Sequence, residues 1–217
     1  MCSLDEQFLC RKCLRYFMGG YCLPYVLTLP GREVVRRCKI ALASHSRACR
    51  LPYTDLVCED GDLRVYCVNT RSLMRERQYS ACVATTMGAS GEVPGSLVGW
   101  YALRDPEDER LYSPHAFVPV LGDRTCGILV VRKKECWTYE WASENLVSAD
   151  PVVRWCADRI WVEESYRRRG IARSTVAAAA KRFGVEVTEM GWVTPFSDDG
   201  EALARSLAPE TVHMCPS

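Results

Sequence analysis

The sequence predicts an α+β protein, a mixed sheet flanked by helices, and three observations carry that prediction. A turn signal, Gly122-Asp123, separates two strand-like runs at 116–121 and 126–131. A short strand pattern at 158–162 enters a basic loop and then an alanine-rich helix at 170–183. A second strand, 185–193, and a second helix, 199–207, follow at once. An antiparallel pair feeding a strand–loop–helix–strand–helix run belongs to the α+β plan.

Taken in order, residues 1–50 are cysteine-rich and basic, and 34–43 suit a short helix. The 63–68 run alternates as a strand, and 71–79 reads as one or two charged helical turns. Glycine, serine and proline crowd 87–95, the expected boundary between a front region, 1–90, and a second domain, 91–217. A strand is expected at 97–103 and a charged turn at 104–110. The run CGILVV at 126–131 is apolar on both faces, as a central strand requires. Trp137, Tyr139 and Trp141 then alternate as one face of a strand, better suited to core packing than to a substrate platform. A last strand is expected at 211–214.

The 217 residues carry 28 basic and 27 acidic side chains, a net charge of +1 that argues against a protein coating nucleic acid along its length. It leaves room for a local basic site. Cysteine is the unusual component: 13 in all, nine of them within the first 82 residues, whereas all six tryptophans fall from Trp100 onward. Asp5 and Glu6 follow Met1 closely, and no apolar core precedes Arg11, Lys12 and Arg15, so neither a secretory leader nor a membrane span is expected. The expectation is therefore a reduced, intracellular protein, and most of the cysteines read as small buried hydrophobes. Cys10 and Cys13 form a C-x2-C pair, the spacing that lets two thiolates grip one zinc ion. Cys22, Cys38, His45 and Cys49 are candidates for the other two ligands, but none forms a C-x2-C or H-x3-H knuckle. By spacing alone, the three histidines read as ordinary.

The sharpest feature is EESYRRRGIARSTVAAAAKRFG, beginning at Glu163. Helices favour acidic residues in their first turn, yet Arg167, Arg168 and Arg169 crowd this start and Arg173 sits one turn in. A bound anion reverses the sign of that repulsion. Gly170 allows close backbone approach, Ala172 stays small, and Ala177 to Ala180 let the helix lie close on a sheet. Together they describe a pyrophosphate cradle after a strand. Neither G-x-G-x-x-G nor a Walker loop is present.

The R-x-x-G-x-A pattern resembles the acetyl-coenzyme A signature of the GCN5-related N-acetyltransferase fold. More narrowly, Cys156, Arg159-Ile160-Trp161-Val162, Arg167-Arg168, Ile171-Ala172 and Arg173-Ser174 resemble the acetyltransferases that establish sister-chromatid cohesion. Gly127 to Val130 is similar to that family's V-G-x-L-I-A-E strand, and Ser197-Asp198-Asp199-Gly200 to its F-S-D-P-T-P-D-G stretch. The likeness covers roughly residues 97–207.

It implies acetyl transfer from acetyl-CoA to a lysine ε-amine of a protein substrate, such as a cohesin subunit on chromatin, in the nucleus. It places the cofactor on Ile160, Trp161, Val162, Arg167, Arg168, Arg169, Gly170, Ile171, Ala172 and Arg173. A strand amide near 160–163 would polarise the thioester. The acceptor must also lose a proton, since a lysine of pKa about 10.4 is charged near neutral pH. The family's two carboxylates would fall at Arg132 and Pro195, which cannot take that proton. Asp198, Ser197 and Glu163 are the candidates in their place, with Asp198 favoured. The family's zinc finger is echoed by Cys10 and Cys13.

Overall fold

The structure, a computed structural model of the whole chain, describes residues 9–14, 31–89, 114–143, 145–148 and 150–216. The strand expected at 97–103 and the turn expected at 104–110 lie outside the described residues.

Helix α1 spans Gly31–Ala48, longer than the 34–43 the sequence suggests. Strands β1 (Leu56–Asp60) and β2 (Leu63–Val68) form a hairpin. Helix α2, Met74–Ala89, carries Glu76 in its first turn, whose carboxylate accepts from Leu73 N–H at 2.9 Å and from Thr54 N–H at 2.8 Å. That buried acid fixes the helix start and ties it to the preceding loop.

Strand β3 (His115–Leu121) turns at Gly122, with φ +59°, into the two-residue β4 (Arg124–Thr125). β5 (Gly127–Glu140) runs for 14 residues, far beyond the apolar run that signals it. The basic triplet at Arg132, Lys133 and Lys134 hides its continuation in the sequence. β6 (Val152–Val162) pairs with it antiparallel, and α3 (Ile171–Phe183) follows. The expected strand at 185–193 is mostly something else. Val187–Glu189 is a 3-10 turn, closed by Glu186 N–H donating to the Glu189 carboxylate at 3.0 Å. Only Gly191–Thr194 is strand, β7, before α4 (Asp198–Leu207) and β8 (Thr211–Pro216).

Among the described residues all eight strands join one mixed sheet, in the order β1-β2-β3-β5-β6-β7-β8 with β4 paired to β3. β1 and β2, which precede residue 90, thus share a sheet with the second half of the chain. One face packs on α3 and α4 through Leu129, Val131, Val176, Ala179, Trp192 and Ala204. The alanines keep the helix close to the strands, as the sequence predicts. The other face packs on α2 and the 9–14 turn through Val118, Val130, Met87 and Leu14. Tyr139 and Trp141 pack against the first core. No disulfide joins any of the eleven described cysteines. Among the described residues no helix is long and apolar enough to cross a membrane.

Two departures from a plain sheet shape the rest. Val130 opposes Arg159 while Val131 opposes Ala157, so Asp158 is the extra residue of a β-bulge in β6. Trp155 and Ala157 face α3 before it and Ile160 after it, so the bulge resets the alternation. The second departure is closure. The end of β5 pairs with β8, β8 with β7, and β7 with β6, so four strands form a ring.

Candidate functional site

β6 and β7 run parallel and pair at two positions only, Cys156 with Gly191 and Ala157 with Trp192. Beyond them the strands separate, because β7 continues along β8 while β6 bulges at Asp158. Glu163 N–H bonds to the Cys126 carbonyl at 2.8 Å, on the β5 side. Peptide groups alternate along a strand, so those of Ile160 and Val162 face the gap that β7 leaves. The Val162 carbonyl there accepts from Arg167 Nε at 2.8 Å.

A cleft of about 910 Å³ opens at this gap, between the end of β6, the start of α3 and the first turns of α4. Nine of the ten sequence-predicted cofactor residues line it: Ile160 to Val162, Arg167, Arg168 and Gly170 to Arg173. Arg169 is not among them, and its guanidinium lies 5.7 Å from the Tyr166 ring centroid. Arg168 and Gly170 have φ of +61° and +76°. Left-handed residues just before a helix turn successive amides to one side, and the first amides of α3 have no partner within the helix. Arg168 reaches across to Asp199 on α4, 2.7 Å away, and Arg173 Nη2 lies 3.4 Å from the Ser206 carbonyl. The cleft therefore has a cationic, amide-lined mouth and an apolar floor, which suits a pyrophosphate joined to a long uncharged arm. Trp161 contributes backbone only, since its indole is buried in the α2-side core.

Of the three proton-transfer candidates, Ser197 and Asp198 line the cleft and Glu163 does not. Ser197 also caps α4, accepting from Gly200 N–H at 3.2 Å. Glu163 caps the turn after β6, accepting from Ser165 N–H at 3.1 Å and from its hydroxyl. Sequence reasoning passed over Asp158. Its carboxylate is 8% exposed and ion-paired with Arg132 at 3.1 Å and Lys134 at 3.3 Å. Arg132, which stands where the family resemblance expects an acid, thus faces an acid one strand away. The bulge that places Asp158 there leaves no mark in one-dimensional periodicity.

Four of the six metal candidates come together; Cys38 is not among them, and Cys22 lies outside the described residues. The 9–14 turn, held by Thr125 N–H to the Lys12 carbonyl at 2.7 Å, brings Cys10 and Cys13 to the end of α1. There His45 and Cys49 complete a cluster whose four ligand atoms all lie within 4.8 Å of one another. Cys13 Sγ and His45 Nε2 are 3.2 Å apart. The Cys13 hydrogen bond pulls the Cys10 thiol down to about 4, while burial pushes Cys49 up to about 11. Three sulfurs and one imidazole at these separations fit a structural zinc ion. His45 and Cys49, two of the four candidates for the remaining ligands, are spaced H-x3-C rather than H-x3-H.

The fold is that of known acetyltransferases. The xEco2 acetyltransferase domain bound to a CoA conjugate is similar with a TM-score of 0.58 at 17% identity, covering 74% of this chain and 96% of that one. A second structure of the xEco2 domain gives 0.52, again at 17% identity, over 74% and 95%. An aminoglycoside acetyltransferase from an uncultured soil metagenomic sample gives 0.45 at 16% identity, over 69% and 90%. At these identities the likeness is one of fold. No sequence-family profile matches the chain, and no curated protein matches it.

Proposed function

We propose that this protein is an acetyl-CoA-dependent protein-lysine N-acetyltransferase. The observation that most supports this reading is the joined geometry of the parted strands and the Arg168–Gly170 cradle at one cleft. Arg168, Arg173 and the first amides of α3 hold the pyrophosphate. The peptide groups of Ile160 and Val162 face the pantetheine arm and polarise the thioester carbonyl. The acceptor amine attacks that carbonyl carbon, the thiolate of CoA leaves, and Asp198 takes the amine's proton, with Ser197 orienting it. The acceptor is a lysine of a chromatin-associated protein such as a cohesin subunit, and the protein acts in the nucleus. Zinc at Cys10, Cys13, His45 and Cys49 serves structure, pinning α1 to the sheet.

Acetyl transfer to lysine peptides, followed by mass spectrometry, tests the assignment. Turnover is expected to fall at least tenfold in Asp198→Asn and to persist in Glu163→Gln. Equal turnover in Asp198→Asn and the wild type would remove Asp198 from the chemistry. A second reading, a module that binds coenzyme A or a protein partner with little turnover, is favoured by Arg132 and Pro195 at the family's acidic positions. Tight acetyl-CoA binding without transfer to any peptide would select it.

A further inference from the structure

A second sulfur cluster lies far from the zinc candidate, inside the ring of four strands. Cys136 of β5, Cys156 of β6 and Cys215 of β8 converge with their Sγ atoms all within 4.8 Å of one another. They are 2%, 0% and 1% exposed, and Val193 completes their contact cluster. The Cys136 and Cys156 sulfurs stand 3.0 Å apart, within hydrogen-bonding reach of each other. The ring is built around these sulfurs. A Cβ at Gly191 would lie 2.5 Å from the Cys156 sulfur and 2.7 Å from that of Cys136.

We propose that Cys136, Cys156 and Cys215 form a binding site for a soft monovalent metal ion, cuprous copper by chemical class. Thiolates select soft ions, and three of them satisfy trigonal cuprous copper. A divalent zinc ion seeks a fourth ligand, and among the described residues no fourth histidine, cysteine or carboxylate joins this group. On loading, the three groups bind as thiolates, any protons they carry pass to solvent, and copper stays monovalent. The bound ion ties β5, β6 and β8 together next to Asp158, where the sheet opens toward the cleft. This site is independent of the acetyl-transfer reading.

The test uses the full chain with zinc present to saturate the N-terminal cluster, titrated with cuprous ion as its acetonitrile complex under argon. One equivalent of copper should resist a chelator competitor and raise the melting temperature. X-ray absorption should show a sulfur-only shell of three atoms. Cys215→Ser and Cys156→Ala should each lower retained copper at least tenfold, and Cys49→Ser should not. Copper held in a shell containing imidazole, or lost with Cys49→Ser alone, would assign it to the His45 cluster and overturn the proposal. So would wild-type protein that retains no copper, or a mass two daltons low with two thiols missing, which means a disulfide. The wild-type spectrum decides the question even if a variant fails to fold.

Discussion

Gly170→Ala and Gly184→Ala separate backbone strain from ligand binding on a single helix. Gly170 precedes α3 at φ +76°, and Gly184 follows it at φ +66°. A Cβ at either position meets nothing within 4 Å, so neither substitution clashes with a neighbour. What each adds is the cost of holding an L-residue in the left-handed region, about 1–2 kcal/mol. Urea denaturation should therefore show both variants destabilised by similar amounts. Their effects on the cofactor should differ. Gly170 shapes the turn that aims the α3 amides into the cleft, and relieving its strain re-aims them. Gly184 caps the far end through its N–H to the Ala180 and Lys181 carbonyls. Isothermal titration with acetyl-CoA should give a Kd raised at least tenfold in Gly170→Ala, or about 1.4 kcal/mol, and unchanged in Gly184→Ala. Equal Kd values in the two variants would refute the cradle.

Other expectations concern neighbouring groups. Asp199→Asn frees the exposed Arg168 from its ion pair, so acetyl-CoA should bind a few-fold tighter while the melting temperature holds. Asp158→Asn removes the carboxylate shared by the partly exposed Arg132 and Lys134 and should cost about 2–3 kcal/mol by chemical denaturation, somewhat below the cost of a fully buried pair. Native mass spectrometry should find one zinc at Cys10, Cys13, His45 and Cys49, lost in His45→Ala and on acidification, because protons compete for the thiolates. Burial, then the Arg154 charge, lowers the His213 pKa, so the unfolded chain, near 6.5, takes the proton first. Stability should be whole above pH 6.5 and fall as the pH drops toward the lowered native value. His213→Gln should flatten that slope.

The loop from Arg167 to Ala172 was legible because its charges contradict ordinary helix chemistry, and a ligand resolves the contradiction. The 158–162 strand and the alanine helix were legible from periodicity. β5 was legible at its two ends, 126–131 and the 137–141 alternation, but not as one strand, because Arg132, Lys133 and Lys134, which pair with Cys156, Trp155 and Arg154 of β6, break the apolar pattern between them. The choice of His45 and Cys49 among the four ligands the sequence offers, and the sulfur ring, were not legible for one shared reason. Their members come from elements distant in sequence, brought together by α1 in one case and by closure of β5 on β8 in the other. Asp158 depends on a single extra residue in a ladder, which becomes visible only when both strands are paired.

On the proposed function, acetyl-CoA occupies the gap between β6 and β7 with its pyrophosphate at the start of α3. Hydrogen–deuterium exchange with and without saturating acetyl-CoA tests it most directly. Protection is expected at 160–162, 168–174 and 197–203, with little change in β1 and β2. Saturable binding that protects other segments, or no protection at 168–174, would contradict it.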